Sequence, residues 1–160
     1  MLNLAIIEEG HYSAHGSYGL SASSIDLPLE GHFQVESLPN ALVIDGKWQQ
    51  HAGRPTYPFR IELNRDHTSQ SQAAVVVIAA GLGSLVGRMS LRGPTLELLA
   101  SDLTTGSQLS ARFLPMEKPH IFEVSGLVSL KGEHWFPFHL RLISMEGELA
   151  KVVALPKRSA

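Results

Sequence analysis

One order of residue types occurs twice in this chain: aromatic, Pro, Phe, polar, aliphatic, charged, Leu. The first copy is Tyr57-Pro58-Phe59-Arg60-Ile61-Glu62-Leu63 and the second is Phe136-Pro137-Phe138-His139-Leu140-Arg141-Leu142. A Phe-x-Val precedes each copy, as Phe33-Gln34-Val35 and Phe122-Glu123-Val124. Leu42, Val43, Gly46 and Trp48 lie between the marks in the first copy, and Leu127, Val128, Gly132 and Trp135 in the second. Apolar residues recur at every second position, so each segment has one dry and one wet face. That is the pattern of antiparallel strands joined by turns. Two readings of the likeness stay open. It is either an internal duplication that gives two pseudo-repeated halves, or the family look of any two barrel hairpins.

The rest of the chain keeps the same rhythm. Alternation or short apolar runs predict strands around residues 2–6, 25–35, 73–80, 85–91, 96–100, 109–113, 122–130, 135–142 and 149–155. Residues 11–19 are small, polar and glycine-bearing and read as a loop, as do residues 64–72. Residues 25–35 read either as one long strand kinked at Gly31 or as a hairpin around Glu30-Gly31. Asp45-Gly46 is a two-residue hairpin signal, and Lys131-Gly132-Glu133 is a second turn. Pro58 and Pro137 cannot donate to a ladder, so each is expected at a strand start or an edge. If their strands face each other, Glu62 and Arg141 form an exposed ion pair. Pro94, Leu96, Leu99 and Leu103 have helical spacing, and residues 148–155 are a second helical option. The expectation is a single all-β domain over residues 1–160. It has about ten short strands, with a barrel favoured over a sandwich, and at most one or two short helices.

Composition narrows the function classes. The chain has 160 residues, of which 44% are hydrophobic and 18% charged, enough apolar material for a sizeable core. A net charge of −2 supplies no basic footprint for nucleic acid. The absence of cysteine removes disulfides and thiolate metal sites. Residues 1–7 lack the basic start of a signal peptide, and the longest apolar run, residues 73–86, is too short and glycine-interrupted to span a bilayer. A soluble, cytoplasmic protein is expected.

The aromatic residues carry the first candidate site. Trp48 and Trp135 are each expected just past equivalent turns and shortly before an aromatic strand, and Phe59, Phe136 and Phe138 share the repeated strands. Aromatic walls around a cavity are how a small barrel holds one apolar ligand. The same rings also serve simply to plug a core. Phe122-x-Val124-x-Gly126, then Leu130-x-Gly132, then Pro137-x-x-Leu140 resembles the C-terminal signature of the YceI-like lipid-binding barrels. The resemblance covers residues 122–142. It implies an antiparallel barrel that holds long isoprenoid-type chains.

A second candidate is the glycine turn Gly81-Leu82-Gly83, with Gly87 beyond it, after the apolar run Val75-Val76-Val77-Ile78. It looks like a dinucleotide fingerprint, and Asp102 follows at a suitable distance. That reading needs a full helix after the glycines, whereas only residues 84–92 precede Gly93-Pro94. The eight histidines form no ligand-spaced set. Neither a nucleophile elbow nor a carboxylate pair stands out. No cofactor, metal or catalytic residue is expected. The leading expectation is non-enzymatic binding of a small apolar ligand by Trp48, Phe59, Trp135, Phe136 and Phe138. The alternatives are a β-rich module that acts by interaction or self-association as a homo-oligomer, and a dinucleotide-dependent enzyme built on Gly81, Gly83 and Gly87.

Overall fold

A computed structural model describes residues 7–19, 26–50, 53–64, 72–116, 121–132 and 134–145. Ten strands make up the fold: β1 (Gly10–Gly19), β2 (Asp26–Ser37), β3 (Ala41–Gln49), β4 (Tyr57–Asn64), β5 (Gln72–Ala79), β6 (Gly83–Arg92), β7 (Thr95–Ser101), β8 (Gln108–Pro115), β9 (Ile121–Leu130) and β10 (His134–Ser144). Each pairs antiparallel with the next, and β1 pairs with β10, so the sheet closes into an up-and-down barrel. Closure satisfies the backbone of every strand on both sides and leaves no free edge.

The alternation of side chains decides what fills the barrel. Even-numbered residues of β9 and β10 point inward, as do odd-numbered residues of β4 and β5, and these are the apolar positions. Charged residues take the outward positions and pair across strands. Arg60 meets Asp45 at 2.8 Å, Arg141 meets Glu123 at 2.9 Å, and Glu97 lies between Arg92 and Arg112. The hydrogen bond from Arg141, with His139 nearby, holds the Glu123 carboxyl below its ordinary value. Such exposed pairs add little stability individually. The expected partnership of Glu62 and Arg141 does not form, because β4 and β10 are not neighbours. Glu62 instead sits 3.5 Å from Arg60.

Prolines fall where a ladder runs out. β3 pairs with β2 only from Glu30 onward, so Pro28 has β1 alone beside it. Pro58 precedes the first β4–β5 pair, and Pro137 lies just beyond the last β1–β10 pair. In each place the missing N–H has no partner to disappoint.

Two sequence expectations are corrected and two open alternatives are decided. Residues 11–19 form β1, not a loop. Tyr12, Ala14 and Tyr18 face inward and His11, Ser13, His15 and Ser17 outward, an alternation hidden by small residues. Asp45-Gly46 is mid-strand in β3, paired with Arg60 and Phe59. Gly46 leaves room for the rings of Phe33 and Phe59, which meet edge-to-face at 4.7 Å between centroids. Residues 94–103 are not helical. Gly93 turns the chain at φ 58° into β7, and Leu103 is fully exposed. Residues 25–35 resolve as a single strand for their described part, 26–35, with Gly31 inside it. The strand expected at residues 2–6 and the last element at 149–155 lie outside the described residues. The two Pro-Phe segments lie on β4 and β10, but Phe33 and Val35 lie on β2 whereas Phe122 and Val124 lie on β9, so the first copy spans three strands and the second two.

Candidate functional site

The barrel is packed at one end and hollow at the other. At the end where β3, β5 and β7 begin, Leu42, Leu63, Val75, Met89 and Leu96 fill the interior and are fully buried. From there a cavity of about 540 Å³ runs toward the opposite end. That volume lies in the range of small-molecule sites. β1, β2 and β8 to β10 supply most of its wall, through Ala14, Phe33, Leu109, Val124, Val128 and Leu140 among others. Its floor is Ile7, Tyr12 and Phe122. The Tyr12 and Phe122 rings are 6.2 Å apart, and the Tyr12 hydroxyl donates to the Glu8 carbonyl at 2.8 Å. Burying that hydroxyl with a partner keeps the floor free of an unsatisfied group.

The mouth lies at the end of the turn at residues 80–82 and is edged by aromatics. Trp48 and Tyr57 are register partners on β3 and β4, with rings stacked at 4.8 Å and 31°. Tyr18 and Phe136 complete the rim. Tyr18 accepts a hydrogen bond from the Gln50 amide at 2.6 Å. Inward residues near the mouth on β1, β3, β9 and β10, such as Tyr18, Trp48, Val128 and Phe136, are half-buried, as expected of a wall that faces open space, whereas Val77, Leu85 and Ala100 on β5 to β7 are buried.

Of the five aromatic residues expected to bind, four line this cavity: Trp48, Phe59, Phe136 and Phe138. Trp135 does not. It stands between Phe136 and the turn, on the outward parity of β10, and is 41% exposed. Trp48 precedes its turn, on β3, whereas Trp135 follows its own, on β10. The two tryptophans are therefore not equivalent, and the matching pairs are Tyr57 with Phe136 and Phe59 with Phe138. Parity alone carries this signal, since Leu140 and Leu142 share the face of Phe138. Tyr12, Ala14 and Tyr18 were missed because β1 was read as a loop. Phe33 was passed over because its role depends on Phe59 across β3.

The glycine turn does not lead into a helix. β5 and β6 are antiparallel, and the turn between them is tight, with Gly81 at φ 84° and Gly83 at φ 82°. Gly87 lies inside β6, where a side chain would collide with the Leu99 carbonyl. A pyrophosphate cradle needs amides at a helix N-terminus, and this geometry has none there. Asp102 serves a turn instead. Its carboxylate accepts from the Thr104 amide at 2.9 Å and from Thr105, which lowers its pKa. His11, His15, His32 and His139 are exposed on the outer wall. Among the described residues no group of three or more potential ligands could hold a metal ion, and no helix is long and apolar enough to cross a membrane. No protein-family model matches this sequence, and a search of curated proteins finds no match.

Proposed function

We propose that this barrel binds one small apolar molecule inside its cavity, without transforming it. The observation that carries the reading is a cavity of about 540 Å³ whose walls are almost wholly aliphatic and aromatic. Space of that kind in water is costly to leave unfilled by apolar atoms. The hairpin β9–β10, which resembles the YceI-like barrels, forms one whole wall through Phe122, Val124, Val128, Leu130, Phe136 and Phe138. That supports a ligand with an extended isoprenoid-type chain. Titration with an apolar fluorophore whose emission rises in a dry site tests the reading. Saturable binding at one molecule per chain is expected. Trp48→Ala should weaken it about tenfold or more, given the area that a buried indole contributes. Trp135→Ala should leave it unchanged. Absence of saturable binding, or equal losses from the two substitutions, would count against the cavity.

A second reading, self-association, has an observation of its own. Ile78, Val86, Leu99, Leu127 and Trp135 are exposed on the outer wall of β5 to β10. Between β6 and β7 they are offset by two residues, Val86 facing Ser101 and Leu99 facing Arg88. Val86 lies opposite Val76, and Leu99 and Leu127 both lie opposite Ser110. Ser129, the register partner of Trp135, faces outward yet is fully buried, as expected if the indole lies along the wall. An apolar stripe of this kind suits an isologous contact with a second copy. Light scattering at micromolar concentration should then report a dimer, and Val86→Glu with Leu99→Glu a monomer. A monomeric native chain would dispose of this reading.

A further inference from the structure

We propose that the ligand's polar end is an uncharged hydroxyl or carbonyl, and that Tyr18 and Gln50 hold it at the mouth. This inference rests on the cavity reading and adds the chemistry of the guest's head.

Two observations lead there. The first is the charge of the lining. Among the described residues that line the cavity there is no Lys, Arg or His, and the one charged residue is Glu30, on β2 near the mouth. Basic residues near this end are Lys47 on the outward parity of β3, Arg54 in its following turn and Lys131 in the last turn, and none of them lines the cavity. Residues 20–25, 51–52 and 133 contain neither Lys nor Arg. A carboxylate or phosphate head drawn inside would lose its water without gaining a cation from the described lining, and burial of an unpaired charge is strongly disfavoured. Glu30, of the same sign, makes the rim less welcoming still.

The second observation is the pair at the mouth. Tyr18 ends β1, Gln50 follows β3, and a 2.6 Å hydrogen bond ties them across a separation of 32 residues. The phenol accepts from the amide, so its own proton is left to donate, while the amide oxygen is left to accept. With the amide turned the other way, the pair still keeps donors on the amide nitrogen and an acceptor on the phenol oxygen. A hydroxyl uses both and a carbonyl uses one. An ionised carboxylate has no proton for the acceptor and brings a charge the pair cannot neutralise. Tyr18 lines the cavity and is half-buried, so it meets the guest where the apolar wall ends.

The experiment uses the full chain and molecules that differ only in the head: retinol, retinal and retinoate, each competed against the apolar fluorophore. At about pH 8, where the retinoate carboxyl is ionised, retinol and retinal should bind at least about tenfold more tightly than retinoate. Tyr18→Phe combined with Gln50→Leu should remove most of that preference by weakening retinol. The melting temperature of the same variant should stay within a few degrees of the native value, which shows that it folds. Retinoate that binds as well as retinol, or a preference that survives the double substitution, overturns the inference and leaves the cavity reading intact. Failure of every probe, the fluorophore included, overturns both.

Discussion

Gly126→Val is expected to unfold the barrel. Gly126 sits mid-strand in β9, paired with Ala111 on β8 and Phe138 on β10. A Cβ there would run into the Ser110 carbonyl oxygen and stand 2.8 Å from the Phe138 ring and 3.0 Å from the Ala111 Cα. Two of these three obstacles are backbone, and in a closed barrel a strand cannot move aside without shifting both neighbours. Overpacking of ordinary side chains costs about 1–3 kcal/mol. A clash with backbone on a closed wall belongs to the rare class above about 4 kcal/mol, comparable with the whole stability of a domain at the low end of about 5–15 kcal/mol. Gly126→Ala should show a large part of the loss. Ser125→Val, one residue away on the exposed outer wall, should be nearly neutral. Denaturant midpoints for the three variants provide the check. A Gly126→Val protein that melts with the native chain would mean that β8 and β9 do not approach this closely.

The second large effect concerns binding rather than folding. Val128→Trp with Leu140→Trp is expected to cut affinity for an apolar probe about a hundredfold while leaving the melting temperature within a few degrees of the native value. Both side chains face the cavity and are only half-buried, so larger rings have space to enter. The same change at Met89, fully buried in the packed end, has no such space and should cost about 1–3 kcal/mol. This contrast separates a hollow interior from a filled one. Unchanged probe binding in the doubly filled variant would show that the probe sits elsewhere.

How much of this was legible in the chain depends on the strand. In β9 and β10 bulky apolar residues repeat at every second position, so their inward faces could be read directly, whereas β5 is a continuous apolar run that marks a buried strand without marking its face. β1 has the same period, but its inward set is Tyr12, Ala14, Gly16 and Tyr18, too small and mixed to stand out from a loop. Its place is decided by two neighbours, β2 and β10, and the latter is distant in sequence. The barrel expected from the rhythm of turns is the fold that forms, but which strands meet to close it was not readable, because alternation gives a face and never a neighbour. Asp45-Gly46 misled because a glycine that permits a turn and a glycine that admits two phenyl rings look alike in one dimension. The glycines after Val77 offered a dinucleotide reading that the short segment before Gly93-Pro94 already argued against, and they join two antiparallel strands. The cavity was half legible. Trp48, Phe59, Phe136 and Phe138 were marked by aromatic type, and Trp135 was carried along by proximity to a turn when parity pointed the other way. Whether an aromatic interior is solid or hollow depends on the volume left by all ten strands together, which no single segment records.

The plug of Leu42, Leu63, Val75, Met89 and Leu96 has a consequence for traffic. Among the described residues it closes the base of the shaft and leaves the opening edged by Trp48 and Tyr57, so a guest of the kind proposed would enter and leave past those two rings.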